Sequence, residues 1–247
     1  MKKEFAVKKK DNKNISGIIY RPEGDGVFPA VIFSHGFGAT YRDIEHYGDD
    51  FIQAGIVCVF FDFCGGSPDS KSDGTMLEMT LDTEVDDLRC VMDAVKDLPY
   101  VDNGSLYRLG ESMGGTVSAI AGCRFYDEVK GLILWYPAFN IPDDAERRMK
   151  KGIRDIMGMR ISGDFDSSAA GLDVVSIQEG FDTPVLIIHG DADDIVPIEY
   201  SKQAVDAYEY ALMHDIPGAG HGFKGDERII AKTASISFVK IFEEMKR

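Results

Sequence analysis

Cysteine is scarce in this chain: Cys58, Cys64, Cys90 and Cys123 are the four it has in 247 residues. None is spaced as C-x-x-C, and the density is far from that of a disulfide scaffold, so the expectation is buried, free thiols in a reducing compartment. Positive charge is short as well. Lys and Arg number 27 against 42 Asp and Glu, a formal charge of −15, which works against nucleic acid, anionic lipid and polyanionic substrates. Neutral or cationic small molecules fit such a surface better. Long apolar runs are missing too: no window approaches the roughly eighteen residues of a membrane span. The lysine-bearing start, MKKEFAVKKKDN, has no apolar core of signal-peptide length. A cytoplasmic protein with no membrane insertion is expected.

Internal repeats, low-complexity tracts and polar linkers are also lacking. What is present is an ordinary globular balance, 44% apolar and 28% charged, enough to bury one core. A single domain over 1–247 is expected.

The N-terminal runs EFAVKK and ISGIIYRP, parted by Asp11, Asn12 and Asn14, suggest an antiparallel hairpin. Then the pattern changes. PAVIFSHG, IVCVFFDF, SLYRLG, VKGLILWYP, PVLIIHG and ALMHDIPG are apolar runs bounded by Gly or Pro, as expected of strands buried on both faces. Between them lie helical patterns, the clearest from Leu81 to Leu98, where Leu81, Val85, Leu88, Met92 and Val95 recur at helical spacing. Glu227 to Met245 reads similarly. Strands alternating with helices predict an α/β fold with a mostly parallel central sheet and helices on both faces. Ligands in such sheets bind at the carboxyl ends of the strands.

Ala138 to Phe181 breaks the alternation. The spacing of Met149, Ile153, Ile156 and Met157 predicts one helix face, followed by a stretch rich in Asp, Ser and Gly. A connection this long is usually functional, and a small lid over the sheet's carboxyl edge is expected, with a purely structural insertion as the alternative.

GESMGG, Gly110 to Gly115, stands where the SLYRL strand turns into the TVSAIAGCRF helix. Gly110-Glu111-Ser112-Met113-Gly114 matches G-x-S-x-G, whose tight strand-turn-helix corner lifts a serine hydroxyl above the sheet edge. The mundane reading is a glycine corner used for packing. A serine nucleophile needs a base within hydrogen-bond reach and an acid to orient the base. Acids follow in PVLIIHGDADDIVP, and His221 sits in IPGAGHGF before the last helix. His35 and His189 precede glycines at strand ends, where turn and hydrogen-bonding duties are expected. His46 falls in a helical stretch and His214 in a strand. His221 is therefore the candidate base, or else a cap of the final helix. Of the acids, Asp191 can bond its own turn, Asp193 is the favoured partner and Asp194 its competitor. For a tetrahedral oxyanion, the backbone N–H of Met113 at the start of a helix and that of Phe37 in SHGFGAT are the expected donors. No His, Cys and carboxylate cluster has ligand spacing, so neither metal nor organic cofactor is expected.

Together these residues resemble the α/β-hydrolase superfamily over nearly the whole chain: HGF, GESMGG, HGDADDIVP and GAGHGF occur in that family's order. The resemblance implies Ser112 as nucleophile, His221 as base, Asp193 as acid, and Phe37 and Met113 as oxyanion donors. The compact size, FDFCGGSPDS running into SDGTMLEMT, and the insertion after WYPAFN look like the bacterial cinnamoyl and feruloyl esterases. That likeness implies a serine carboxylic-ester hydrolase for hydroxycinnamoyl or other small acyl and aryl esters. It also implies that an acid of the insertion, Asp144 or Asp143 in NIPDDAERR, meets the substrate's phenolic hydroxyl, where the mundane reading is a solvated helix start. The chain departs from the esterase pattern with Glu111 where His is usual, Met113 where Gln is common, and a shorter, more acidic insertion. Alternatives are a monoacylglycerol lipase or thioesterase for aliphatic chains, a peptidase, for which no added domain screens polypeptides, and a non-catalytic ligand-binding homologue. A homodimer through paired insertions stays open.

Overall fold

The structure is a computed structural model that describes residues 1–125, 128–179 and 181–245. Strands β1 (Lys2–Lys8) and β2 (Asn14–Tyr20) form the antiparallel hairpin expected from the alternating N-terminal runs. β3 (Phe28–Ser34) leads through the short helices α1 (Tyr41–Ile44) and α2 (Gly48–Gln53) to β4 (Val57–Phe61). Then come α3 (Leu81–Lys96), β5 (Val101–Glu111), α4 (Met113–Arg124) and β6 (Gly131–Trp135). Between β6 and the next long strand lie α5 (Ile141–Lys151), a small hairpin of β7 (Asp155–Ile156) and β8 (Met159–Arg160), and α6 (Gly163–Ala170). The chain then runs through β9 (Val185–Gly190), α7 (Ile198–Ala207), β10 (Ala211–Ile216) and α8 (Asp226–Glu244).

Eight strands make the main sheet in the order β1-β2-β4-β3-β5-β6-β9-β10. From β4 to β10 every neighbouring pair is parallel; β1 and β2 extend the sheet antiparallel at one edge. Every residue of β4 and β6 is buried, because helices cover both faces of a parallel sheet. Alternate residues feed two cores. Ile32 and Leu106 point to the side where Val85, Leu88 and Met92 of α3 pack, while Val31, Phe33 and Tyr107 meet Phe51 of α2 and Phe238 of α8.

α3 keeps the start read from its periodicity, with the Thr80 hydroxyl accepting the N–H of Thr83 as cap. The helix expected through Met149, Ile153, Ile156 and Met157 is corrected. Only Met149 belongs to it: α5 ends where Gly152 turns left-handed, at φ 67°, a common helix stop. Ile156 and Met157 belong instead to the β7–β8 hairpin, turned by Met157 at φ 52° and Gly158 at φ 80°. The polar stretch beyond forms α6, capped by the Ser162 hydroxyl. Gly180, near the end of the insertion, lies outside the described residues. All four cysteines are unpaired, Cys58 and Cys64 buried but Cys90 and Cys123 only half-buried, so the expectation of burial holds for two of them.

Candidate active site

The G-x-S-x-G stretch forms the corner between β5 and α4. Ser112 sits at φ 52°, ψ −123°, a region that costs a non-glycine residue of order 1–3 kcal/mol and survives only where its surroundings hold it. Those surroundings are tight. A Cβ at Gly110 would fall 2.2 Å from the Gly114 carbonyl oxygen, and one at Gly114 2.3 Å from that of Ser34. Glycine at both positions lets the helix pack against the strands that carry the corner. The Ser112 N–H donates to Trp135 O at 2.9 Å and its carbonyl accepts from Gly115 at 3.0 Å, so the strained residue is held on both sides.

The Ser112 hydroxyl lies 3.0 Å from His221 Nε2, and His221 Nδ1 lies 2.7 Å from Asp193 Oδ2. The loop after β10 supplies His221 and the loop after β9 supplies Asp193, adjacent strands that bring distant sequence together. The Asp193 side chain is fully buried. Its Oδ1 accepts the N–H groups of Ile195 and Val196, each at 2.9 Å. Burial alone would raise its pKa, but hydrogen bonds from His189, His221 and the Val196 N–H hold it well below the usual carboxylate range. An ionised Asp193 takes the Nδ1–H of His221, which leaves the Nε2 lone pair facing the serine hydroxyl.

The competing acids go elsewhere. Asp194 is exposed, and Asp191 accepts the N–H of Gly218 at 2.6 Å, bracing the neighbouring loop rather than its own turn. His35 bonds Gly36 O and the Phe63 N–H inside the core, where burial pushes its pKa down. His46 is exposed in a 3-10 turn and His214 is exposed on β10. His189 takes up the hydrogen-bonding duty expected of it. Fixed by Ser201 Oγ at 2.6 Å and Val196 O at 3.0 Å, it sets Nε2 3.3 Å from Asp193 Oδ2. The Ser201 bond that fixes the ring needs α7 beside β9, a proximity no local spacing encodes.

Phe37 and Met113 both border the same cavity as Ser112. Gly38 holds the loop of Phe37 in place, donating its N–H to Gly66 O at 3.0 Å and accepting from the Ser67 hydroxyl at 2.9 Å. Among the described residues no acceptor takes the N–H of Phe37 or of Met113.

The cavity is walled mainly by apolar side chains of α5, α6 and the β7–β8 hairpin, including Ile141, Ile156, Met157 and Phe165. Asp144, in the first turn of α5, also borders it, its carboxylate gripped by Asn140 Nδ2 at 2.9 Å and Arg147 at 2.7 Å. Asp143 points elsewhere and accepts from the Tyr200 hydroxyl. The sequence reading missed Asn140, which precedes a helix and looks like an ordinary cap. Its side chain makes no cap bond. Nδ2 donates to Asp144 and to Ile195 O, which fixes the amide's orientation, and the buried Oδ1 has no partner among the described residues.

No cluster of metal-ligating side chains occurs among the described residues, and none of their helices is long and apolar enough to cross a membrane.

A parallel sheet with a strained serine at a strand-turn-helix corner defines the α/β-hydrolase fold. The chain belongs to the Hydrolase_4 family, described as serine aminopeptidase, S33, whose profile matches residues 27–163. Est1E from Butyrivibrio proteoclasticus, solved with ferulic acid bound, is similar over 98% of this chain and 100% of its own, with a TM-score of 0.85 and 24% identity. A monoacylglycerol lipase from Paleococcus ferrophilus is similar over 91% of this chain and 99% of its own, with a TM-score of 0.71 and 18% identity. The esterase EaEST from Exiguobacterium antarcticum reaches a TM-score of 0.71 at 20% identity, over 95% of this chain and 98% of its own. No curated protein matches the chain.

Proposed function

We propose that the protein is a serine carboxylic-ester hydrolase for small aryl and hydroxycinnamoyl-type esters. The observation that carries this reading is the hydrogen-bonded line from Ser112 through His221 to Asp193 at the edge of a mostly apolar cavity. Ser112 Oγ attacks the ester carbonyl while His221 Nε2 takes its proton, and the N–H groups of Phe37 and Met113 receive the oxyanion. His221 then gives the proton to the leaving alcohol, which departs as the acyl–Ser112 ester forms. Water, deprotonated by His221, attacks that ester, and Ser112 takes the proton back as the acid leaves. Asp193 keeps the imidazole in the tautomer these transfers require.

The cavity supports the choice of acyl group. Its walls suit an aromatic ring, and the unpaired Asn140 Oδ1 beside the Asp144 carboxylate would accept a hydroxyl carried on that ring. Est1E, similar over nearly the whole of this chain, was solved with ferulic acid bound. A second reading, an aliphatic acyl or monoacylglycerol substrate, is favoured by the same apolar wall of Ile156, Met157 and Phe165.

The test is kcat/KM for methyl ferulate, its O-methylated analogue, p-nitrophenyl butyrate and a long-chain ester, with Ser112→Ala as blank. Methyl ferulate is expected to exceed its O-methylated analogue by roughly tenfold, as unpaired buried polar groups cost about 1–3 kcal/mol. Asn140→Leu is expected to erase that preference while sparing p-nitrophenyl butyrate. Efficiency that instead climbs with aliphatic chain length, each buried methylene adding about 0.8 kcal/mol, would replace the aryl reading with the lipid one.

A further inference from the structure

The last residue of β5 is a glutamate, one step before the serine. Glu111 stands opposite Trp135 in the parallel ladder with β6, so its side chain meets the residue after that strand. The Tyr136 hydroxyl donates to Glu111 Oε2 at 2.8 Å. Tyr136 is itself held in a costly conformation, φ 36°, with its N–H donated to Ile188 O at 2.7 Å. Its ring lies 4.7 Å, centroid to centroid, from both the His221 imidazole and Phe223. A strained, buried tyrosine thus ties a carboxyl group to the histidine of the serine relay.

The charges around Glu111 come from several elements. Partial burial pushes its pKa up, and Asp43 of α1 adds to that. The Tyr136 hydroxyl, His221 and the Gly36 N–H oppose that rise only in part, and the net shift is upward. Tyr47, in the turn before α2, feels the Glu111 charge and burial together and is pushed up to about 12, while Arg228 of α8 acts against that rise. The acid that orients His221, Asp193, reaches the ring from the β9 side instead.

We propose that Glu111 is a second carboxylate serving His221: fastened by the Tyr136 hydroxyl, it stabilises the imidazolium while Asp193 fixes the ring's tautomer and orientation. Glu111 touches no substrate in this scheme and acts through His221, as a positioning residue. A negative charge near an imidazolium stabilises it, so the carboxylate steadies the charge His221 carries when Ser112 gives up its proton. The inference rests on the proposed roles of Ser112 and His221.

The experiment is the pH dependence of labelling by a fluorophosphonate, followed on the full chain by intact mass. Ser112 Oγ attacks phosphorus, fluoride leaves and His221 takes the proton, so the acid limb of the rate reports His221 and no natural substrate is needed. Glu111→Gln keeps shape and hydrogen bonding but removes the charge. It is expected to move the acid limb down by about one pH unit and to lower the plateau rate three- to tenfold, roughly. Tyr136→Phe breaks the tie yet keeps the carboxylate, and is expected to stay within about twofold of the wild-type plateau and to shift the limb by less than half as much. Should Glu111→Gln fail to fold, Glu111→His, the residue usual in the esterases this chain resembles, makes the same test with a shift at least as large. Labelling at Ser112 with an unmoved limb, or an equal shift in both variants, overturns this inference alone. Absence of labelling at Ser112 overturns the hydrolase reading and this inference with it.

Discussion

Replacing Ser112 with alanine is expected to lower kcat by about four to six orders of magnitude on every ester the protein hydrolyses, with KM little changed. The size of the loss follows from the arrangement. Among the described residues the serine oxygen alone both faces the cavity and lies 3.0 Å from His221 Nε2, and without it no acyl–enzyme can form. A residual rate above that of water would persist, because the Phe37 and Met113 N–H groups can still polarise a bound carbonyl. The fold should survive: alanine removes one oxygen, and the strain at φ 52° exists in both proteins. The variant's melting temperature, measured beside its kcat, separates loss of chemistry from loss of structure.

The next largest effect is expected from Asp193→Asn, at about four orders of magnitude in kcat. The new amide can keep its oxygen on the N–H groups of Ile195 and Val196 and turn its NH2 towards His221. An NH2 there cannot accept the Nδ1–H, so the ring adopts the other tautomer and presents an N–H, not a lone pair, to Ser112. Asp194→Asn, at an exposed position one residue away, should leave kcat within about twofold, as surface changes of this kind usually do. The same pair tests the linkage between charge and stability. The pKa of Asp193 is depressed in the folded protein. Its stabilisation is therefore full above the unfolded value of about 3.9 and is lost as pH falls towards the folded one. Denaturant midpoints measured from pH 6 down to pH 3 should fall more steeply for the wild type than for Asp193→Asn.

Much of this molecule could be read from the order of its residues, for definite reasons. A parallel sheet buried on both faces writes itself as apolar runs closed by glycine or proline, and α3 writes its buried face at helical spacing. The corner around Ser112 is legible because its glycines answer to backbone atoms 2.2 and 2.3 Å away, a local constraint. Where the reading failed, the deciding contact was of another kind. Met149, Ile153, Ile156 and Met157 keep a helical spacing, yet Gly152 and Gly158 take left-handed backbones and split them between a helix and a hairpin. That split brings Ile156 and Met157 to the cavity wall. His189 is fixed beside Asp193 by Ser201, which reaches it because α7 packs beside β9. Asn140 resembles a helix cap until its amide is seen bonded to Asp144 and Ile195. Glu111 and Tyr136, 25 residues apart, become neighbours only through the pairing of β5 with β6.

The central claim, that Ser112 is acylated with the help of His221, is tested most directly by trapping the intermediate. The protein is mixed with an activated aryl ester, quenched in acid within the first turnover, and its peptides are weighed. One acyl group on the peptide carrying Ser112, absent from Ser112→Ala and strongly reduced in a His221→Ala variant, is the predicted result. Ester turnover that leaves Ser112 unmodified, or continues undiminished in Ser112→Ala, would contradict it.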